Sequence, residues 1–188
     1  MPSAPASSGA SASPEDGRPV TPARAIVVMG VSGCGKTSVA EGLAASLGAA
    51  FIEGDSLHPP ANVEKMSRGI PLTDEDRWPW LDMIGRALAE ALAAGNGVVV
   101  SCSALRKVYR ERLRGAAGGT LSFVFLKGSR DLLMTRMAAR EGHFMPVSLL
   151  DSQLATLEDP SGEPGVVTVD IDAPVEAIVA AALRGLTS

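Results

Sequence analysis

Ala25-Ile26-Val27-Val28-Met29-Gly30-Val31-Ser32-Gly33-Cys34-Gly35-Lys36-Thr37 decides the fold class of this chain. Its first five residues are apolar and partly β-branched, which reads as a short parallel strand buried on both faces. The next eight match G-x-x-x-x-G-K-[ST] in full, and the alanine-rich stretch from Thr37 to Leu47, closed by Gly48, reads as a helix. A strand that turns through such a loop into a helix builds a phosphate cradle. Glycines let backbone N–H groups converge on phosphate oxygens, and the helix adds the positive end of its dipole. The expected nucleotide-binding residues are Gly30, Val31, Ser32, Gly33, Cys34, Gly35, Lys36, Thr37 and Ser38. Lys36 is expected to reach the β- and γ-phosphates of ATP, and Thr37 to offer its hydroxyl to Mg²⁺.

Outward from this loop, four more strands are expected at Ala50–Glu53, Val98–Cys102, Leu121–Leu126 and Val166–Ile171. Helices are expected near Trp80–Ala94, Ala104–Arg114, Arg130–Arg140, Leu149–Leu157 and Pro174–Leu183. Strands alternating with helices predict an α/β fold, a parallel sheet covered on both faces with ligands at the carboxyl ends of its strands. One domain over residues 24–188 is expected. Residues 1–23, rich in Ser, Ala, Pro and Gly, read as a disordered tail with neither the basic nor the apolar region of a signal peptide.

Composition excludes several classes. The 188 residues carry a formal net charge of -4, so no global positive field draws in nucleic acid or an anionic membrane. No apolar run approaches the ~20 residues of a membrane span. The two cysteines, Cys34 and Cys102, have neither zinc-site nor disulfide spacing, and a cytoplasmic protein with reduced thiols is expected. The positive potential of the loop could activate Cys34, although a small loop residue without chemical role is the expected reading.

The chain lacks the N-K-x-D of Ras-like GTPases, an LSGGQ-like signature, and an Asp at the end of the third strand, which instead reads Val100-Ser101-Cys102. A small-molecule kinase fits better. Glu53 and Asp55, two apart at a strand end, face the same way if the extended geometry persists. One could stand behind the direct ligands of Mg²⁺ and the other accept a proton from a hydroxyl; the alternative is that they cap the next helix or stay solvated. His58 could hydrogen-bond a polyol or brace its turn. Trp78 and Trp80, flanking Pro79 at an expected helix start, read as packing rather than sugar stacking.

Several further segments carry a family resemblance: Gly54-Asp55-Ser56-Leu57-His58-Pro59, Asn62 with Lys65-Met66, Gly69 to Asp74 with Asp76-Arg77, and Trp78-Pro79-Trp80-Leu81. So do Ser101 to Arg106 with Tyr109-Arg110, and Gly142-His143-Phe144-Met145 followed by Leu149-Leu150, Ser152-Gln153 and Leu157-Glu158. In this order, from Ala25 to Leu183, they resemble the gluconokinase family. The resemblance implies ATP-dependent phosphorylation of D-gluconate at its 6-hydroxyl, feeding the pentose phosphate route. It also implies a nucleoside-monophosphate-kinase-like three-layer fold, a helical lid around residues 136–150 and a homodimer. Arg106 departs from the Lys more often found in that family, and its fork geometry differs.

Such a substrate offers a carboxylate and a row of hydroxyls. Arg77, Arg106, Arg110 and Lys65 are the candidate cations for the first, with His58 and His143 as further substrate contacts. Asp55 is expected to hold, and to take the proton of, the attacking hydroxyl. Arg136 and Arg140, one helical turn apart, could close over ATP, packing on adenine and neutralising γ-phosphate charge, unless they form a solvated basic face. Pro174 could line the adenine pocket. Shikimate-like and nucleoside monophosphate kinases, and a nucleotide-dependent regulatory protein without transfer activity, are the alternatives.

Overall fold

A computed structural model describes residues 24–139 and 147–188. Five parallel strands, β1 (Ala25–Met29), β2 (Ala50–Glu53), β3 (Val98–Ser101), β4 (Leu121–Lys127) and β5 (Val166–Asp170), form one sheet in the order β2-β3-β1-β4-β5. Between and after them run α1 (Lys36–Leu47), α2 (Pro60–Ser67), α3 (Asp74–Ala93), α4 (Lys107–Ala116), α5 (Arg130–Ala138), α6 (Val147–Thr156) and α7 (Val175–Leu186), with a 3₁₀ turn at Gly54–Leu57.

Every residue of β1 is buried, and its side chains alternate between two cores. Ile26 and Val28 pack with Val39, Leu43, Leu133, Leu150 and Ile178 on one face, whereas Val27 and Met29 pack with Trp80, Ile84, Leu88 and Tyr109 on the other. This two-sided burial explains why the strand reads as a continuous apolar run. The sheet therefore lies between a layer containing α1 and α7 and a layer containing α3 and α4. The carboxyl ends of β1, β2 and β3 converge where the glycine-rich loop, the 3₁₀ turn and Ser101 meet.

The strand expectations hold to within one residue at each end, whereas helix ends shift by up to three residues and two helices differ more. Helix α3 begins at Asp74, six residues before the expected start. Thr73 caps it by accepting from the Asp76 N–H while Asp76 Oδ2 accepts from the Thr73 N–H, and Asp74, Glu75 and Asp76 favour the positive helix end. Pro79, read as the boundary, lies inside the helix, where its missing N–H forgoes a bond to the Glu75 carbonyl. Helix α2 was not expected; Pro60 opens it at a position where an absent N–H costs nothing. The tail at residues 1–23 and the central part of the expected lid, residues 140–146, lie outside the described residues. Among the described residues no helix is long and apolar enough to cross a membrane.

Candidate active site

The glycine-rich loop curls as its sequence requires. Helix α1 starts after Gly35, at φ +91°, with no side chain capping its first turn, so its leading N–H groups face the loop cavity. Lys36 Nζ donates to the Val31 carbonyl at 3.1 Å, folding back along the loop. Helix α5 lies directly over the loop. Gly33 has φ +81°, and a Cβ there would also come within 2.7 Å of Met137 Cγ, so the position favours glycine. The Arg136 guanidinium sits above Gly35 and donates to the carbonyls of Ile171 and Ala173, the segment that leads to Pro174 at the start of α7. Arg136 thus spans the loop and the neighbourhood of Pro174. Arg140 and His143 lie outside the described residues.

Cys34 is fully buried in the floor of the loop, and burial pushes its thiol up despite the opposing field of Lys36. The activating potential weighed from sequence does not prevail, because desolvation of a thiolate outweighs it. Cys102 is also buried, its thiol pushed up to about 12.

The end of β2 supplies the facing half. Thr37 Oγ1 donates to Glu53 Oε2 at 2.7 Å, and Ser101 Oγ donates to Glu53 Oε1. Ser101 stands at the end of β3, beside β1, where the sequence has no Asp; the carboxylate is delivered instead by Glu53 on the adjacent strand. Gly54 then approaches β3 so closely that a Cβ would fall 2.0 Å from the Ser101 carbonyl oxygen. Its N–H donates to Ser101 Oγ and its carbonyl accepts from Trp80 Nε1 at 2.7 Å, which pins the 3₁₀ turn to the core. Asp55 projects from that turn with its side chain 72% exposed, and His58 Nε2 lies 3.9 Å from its Oδ1. His58 stacks on Trp80 at 4.1 Å, and burial lowers its pKa, opposed by Asp55 and reinforced by Arg77.

The cations are distributed unevenly. Lys65 Nζ pairs with Asp76 Oδ1 at 2.6 Å. Arg106 donates to Asp74 and lies 3.7 Å from Glu158, which also accepts from the Lys107 N–H at the start of α4. Tyr109 donates to the same Asp74, and these bonds hold its carboxyl below the usual range. Arg77 and Arg106 both lie over the Tyr109 ring, each 5.8 Å from its centre. Among the described residues, Arg77 has no carboxylate within 4.0 Å.

Arg110 is a correction. It is fully buried, with Nε and Nη2 donating to Glu163 and Nη1 to the carbonyls of Ala104 and Leu105. Four of its five N–H donors are consumed inside the fold, and its buried side chain is not presented to a substrate carboxylate. Trp80 is packing, as expected: it is 1% exposed within the core. Two residues that had no assigned role touch the site. Gln153 Oε1 accepts from the Ser32 N–H of the loop at 2.6 Å, and Asn62, only 4% exposed, lies against His58. Both fall in segments that resemble the family, but their residue types alone do not single them out.

Comparison with known proteins now places the chain. Residues 26–160 match the family model described as an AAA domain. A gluconokinase of Gluconobacter oxydans is 58% identical over 78% of this chain and 82% of its own length. The thermoresistant gluconokinase of Escherichia coli K12 is 47% identical over 84% of this chain and 90% of its own. The chain belongs to the gluconokinase family. In structure, a gluconokinase from Sinorhizobium meliloti superposes with a TM-score of 0.81 at 59% identity, covering 87% of this chain and 91% of that one. Membership in the gluconokinase family agrees with the five-stranded parallel sheet and with the loop that opens it.

Proposed function

We propose that this protein transfers the γ-phosphoryl group of ATP to the 6-hydroxyl of D-gluconate, giving 6-phospho-D-gluconate and ADP. The observation that carries the reading is the Thr37–Glu53 bond: it fixes the acceptor strand against the phosphate loop, and Asp55 follows two residues later on the open side. Family membership supplies the substrate.

The residues present fit ATP and Mg²⁺. The uncapped start of α1 and the loop N–H groups suit phosphate oxygens. Thr37 gives its hydroxyl proton to Glu53, so its oxygen lone pairs remain for a cation. Among the described residues no group of three or more His, Cys, Asp or Glu is arranged as a metal cage, which suits Mg²⁺ held largely by phosphate and water. Bound there, Mg²⁺ would neutralise charge on the transferring group.

Lys36 leaves the Val31 carbonyl to meet the β- and γ-phosphates, and Arg136 covers the loop from α5, with Pro174 beside the adenine. Asp55 accepts the hydrogen bond of the 6-hydroxyl. A loose transition state asks little basicity of it, so alignment is its larger contribution. Arg77, Arg106 and Lys65 form the cationic end for the substrate carboxylate, which competes there with Asp74 and Asp76. Arg140 and His143 enter this reading as further contacts to ATP and to the substrate, as the family resemblance implies. A cytoplasmic homodimer belongs to the same reading. A coupled ADP-release assay with gluconate, shikimate and AMP tests it: turnover on gluconate alone is expected, and turnover on shikimate or AMP but not gluconate would overturn it.

A further inference from the structure

Asn62 is a nearly buried amide whose two donor hydrogens have separate destinations. Its Nδ2 lies 2.8 Å from the Asp76 carbonyl, which can only accept, and this fixes which end of the amide is nitrogen. The other hydrogen on the same nitrogen faces His58 Nδ1 at 3.3 Å. A protonated Nδ1 would set two N–H groups against each other, so Nδ1 must be the acceptor. The ring is then neutral with its proton on Nε2.

The ring has little freedom to change this. It stacks on Trp80 with planes 15° apart, its side chain is 3% exposed, and Trp80 is itself held by the Gly54 carbonyl. Burial opposes a charged imidazole and Arg77 opposes it further, whereas Asp55 favours it. The Nε2–H points toward Asp55 Oδ1 at 3.9 Å, too far for a direct hydrogen bond. An oxygen atom can, however, lie at ordinary hydrogen-bond distance, about 2.8 Å, from both atoms.

We propose that Asn62 is a positioning residue that locks His58 as a fixed Nε2–H donor, and that His58 and Asp55 grip one substrate hydroxyl between them, His58 donating to it and Asp55 accepting from it. This rests on the reading of the substrate as a polyol acid. The device discriminates by chemistry: only a group that both accepts and donates satisfies the two partners, so a hydroxyl is taken and an ether or carbonyl oxygen is refused.

The test uses the full chain. With two histidines in the sequence, His58 and His143, ¹⁵N imidazole spectra of the wild type and of His143→Gln assign the His58 ring. At pH 7 and without substrate, Nδ1 should be unprotonated and Nε2 protonated. In Asn62→Asp, whose carboxylate accepts, the proton should appear on Nδ1. The KM for gluconate should rise about tenfold in that variant, the loss of one oriented hydrogen bond, with the KM for ATP within about twofold. Gln places an amide nitrogen near the site of Nε2 and Asn near that of Nδ1. His58→Gln should therefore retain most of the gluconate affinity that His58→Asn loses.

A wild-type ring protonated on Nδ1 or on both nitrogens would overturn the proposal, as would equal behaviour of the Gln and Asn variants with ATP binding intact. The tautomer is read without substrate, so failure to phosphorylate gluconate would overturn the substrate reading while leaving the spectral result to decide the role of Asn62.

Discussion

The two halves of the site are held by different means. Around the phosphate loop, side chains lean on backbone: Lys36 on the Val31 carbonyl, Arg136 on those of Ile171 and Ala173, with fully buried β1 beneath. Around Asp55, side chains lean on one another, half-exposed, through the Lys65–Asp76, Arg106–Asp74 and Arg106–Glu158 pairs. In the backbone-anchored half the loop itself is specified by local sequence, while Arg136 and Gln153 reach it from distant parts of the chain. A half built from ion pairs depends on residues far apart in the chain, and two of its cations, Lys65 and Arg106, already have carboxylates that a substrate must displace.

The sharpest way to break this contrast is to remove one group from each half. Lys36→Met should lower kcat about 10³-fold and weaken ATP as well. Asp55→Asn should lower kcat about 10²- to 10⁴-fold while ATP affinity, followed by equilibrium titration, stays within about twofold. If Asp55→Asn also lost ATP, the halves would not be separable.

Next in size is the buried arginine. Arg110→Met leaves the Glu163 carboxylate without its main partner and should lower unfolding stability by about 3 kcal/mol in urea titration, with the KM for gluconate of the folded enzyme unchanged. A raised KM without loss of stability would return Arg110 to the substrate.

A smaller effect probes the loop. Gln153→Glu puts a carboxylate where an amide oxygen now accepts from Ser32, next to phosphate-binding N–H groups, and should raise the KM for ATP about tenfold with gluconate unaffected. An unchanged KM for ATP would mean that the contact does not compete with phosphate.

The smallest effect is a pH dependence. Tyr109 and Arg106 hold the Asp74 carboxyl below its ordinary value, so its stabilisation is present above the unfolded carboxyl range and is lost as pH falls through the lower folded value. For a group this exposed it amounts to about 1 kcal/mol or less. Asp74→Asn should differ from wild type in denaturant midpoint near neutral pH, and the difference should close below about pH 4.

The same contrast explains what could be read from the sequence. The phosphate loop and all five strands were legible because glycine spacing and apolar runs are local signals. The start of α3 was not: Pro79 looked like a boundary, although Thr73 and Asp76 carried a capping box that would have corrected it. Arg110 shows the deeper difficulty. Residue type announces a charge but not its partner, and Glu163 lies 53 positions away. Asn62 and Gln153 are ordinary amides in sequence; only the fold brings one against a histidine ring and the other against a loop N–H.

The two cysteines have a practical use. Cys34 belongs to the core on the α1 side of the sheet and Cys102 to the core on the α3 side, and both are closed to solvent. A thiol reagent added to the native protein therefore acts as a clock for opening, with one hand in each layer. Single-cysteine variants labelled with and without ATP would time the two layers separately. Slowing at Cys34 and not at Cys102 would show nucleotide tightening one face of the sheet while the other keeps its own pace.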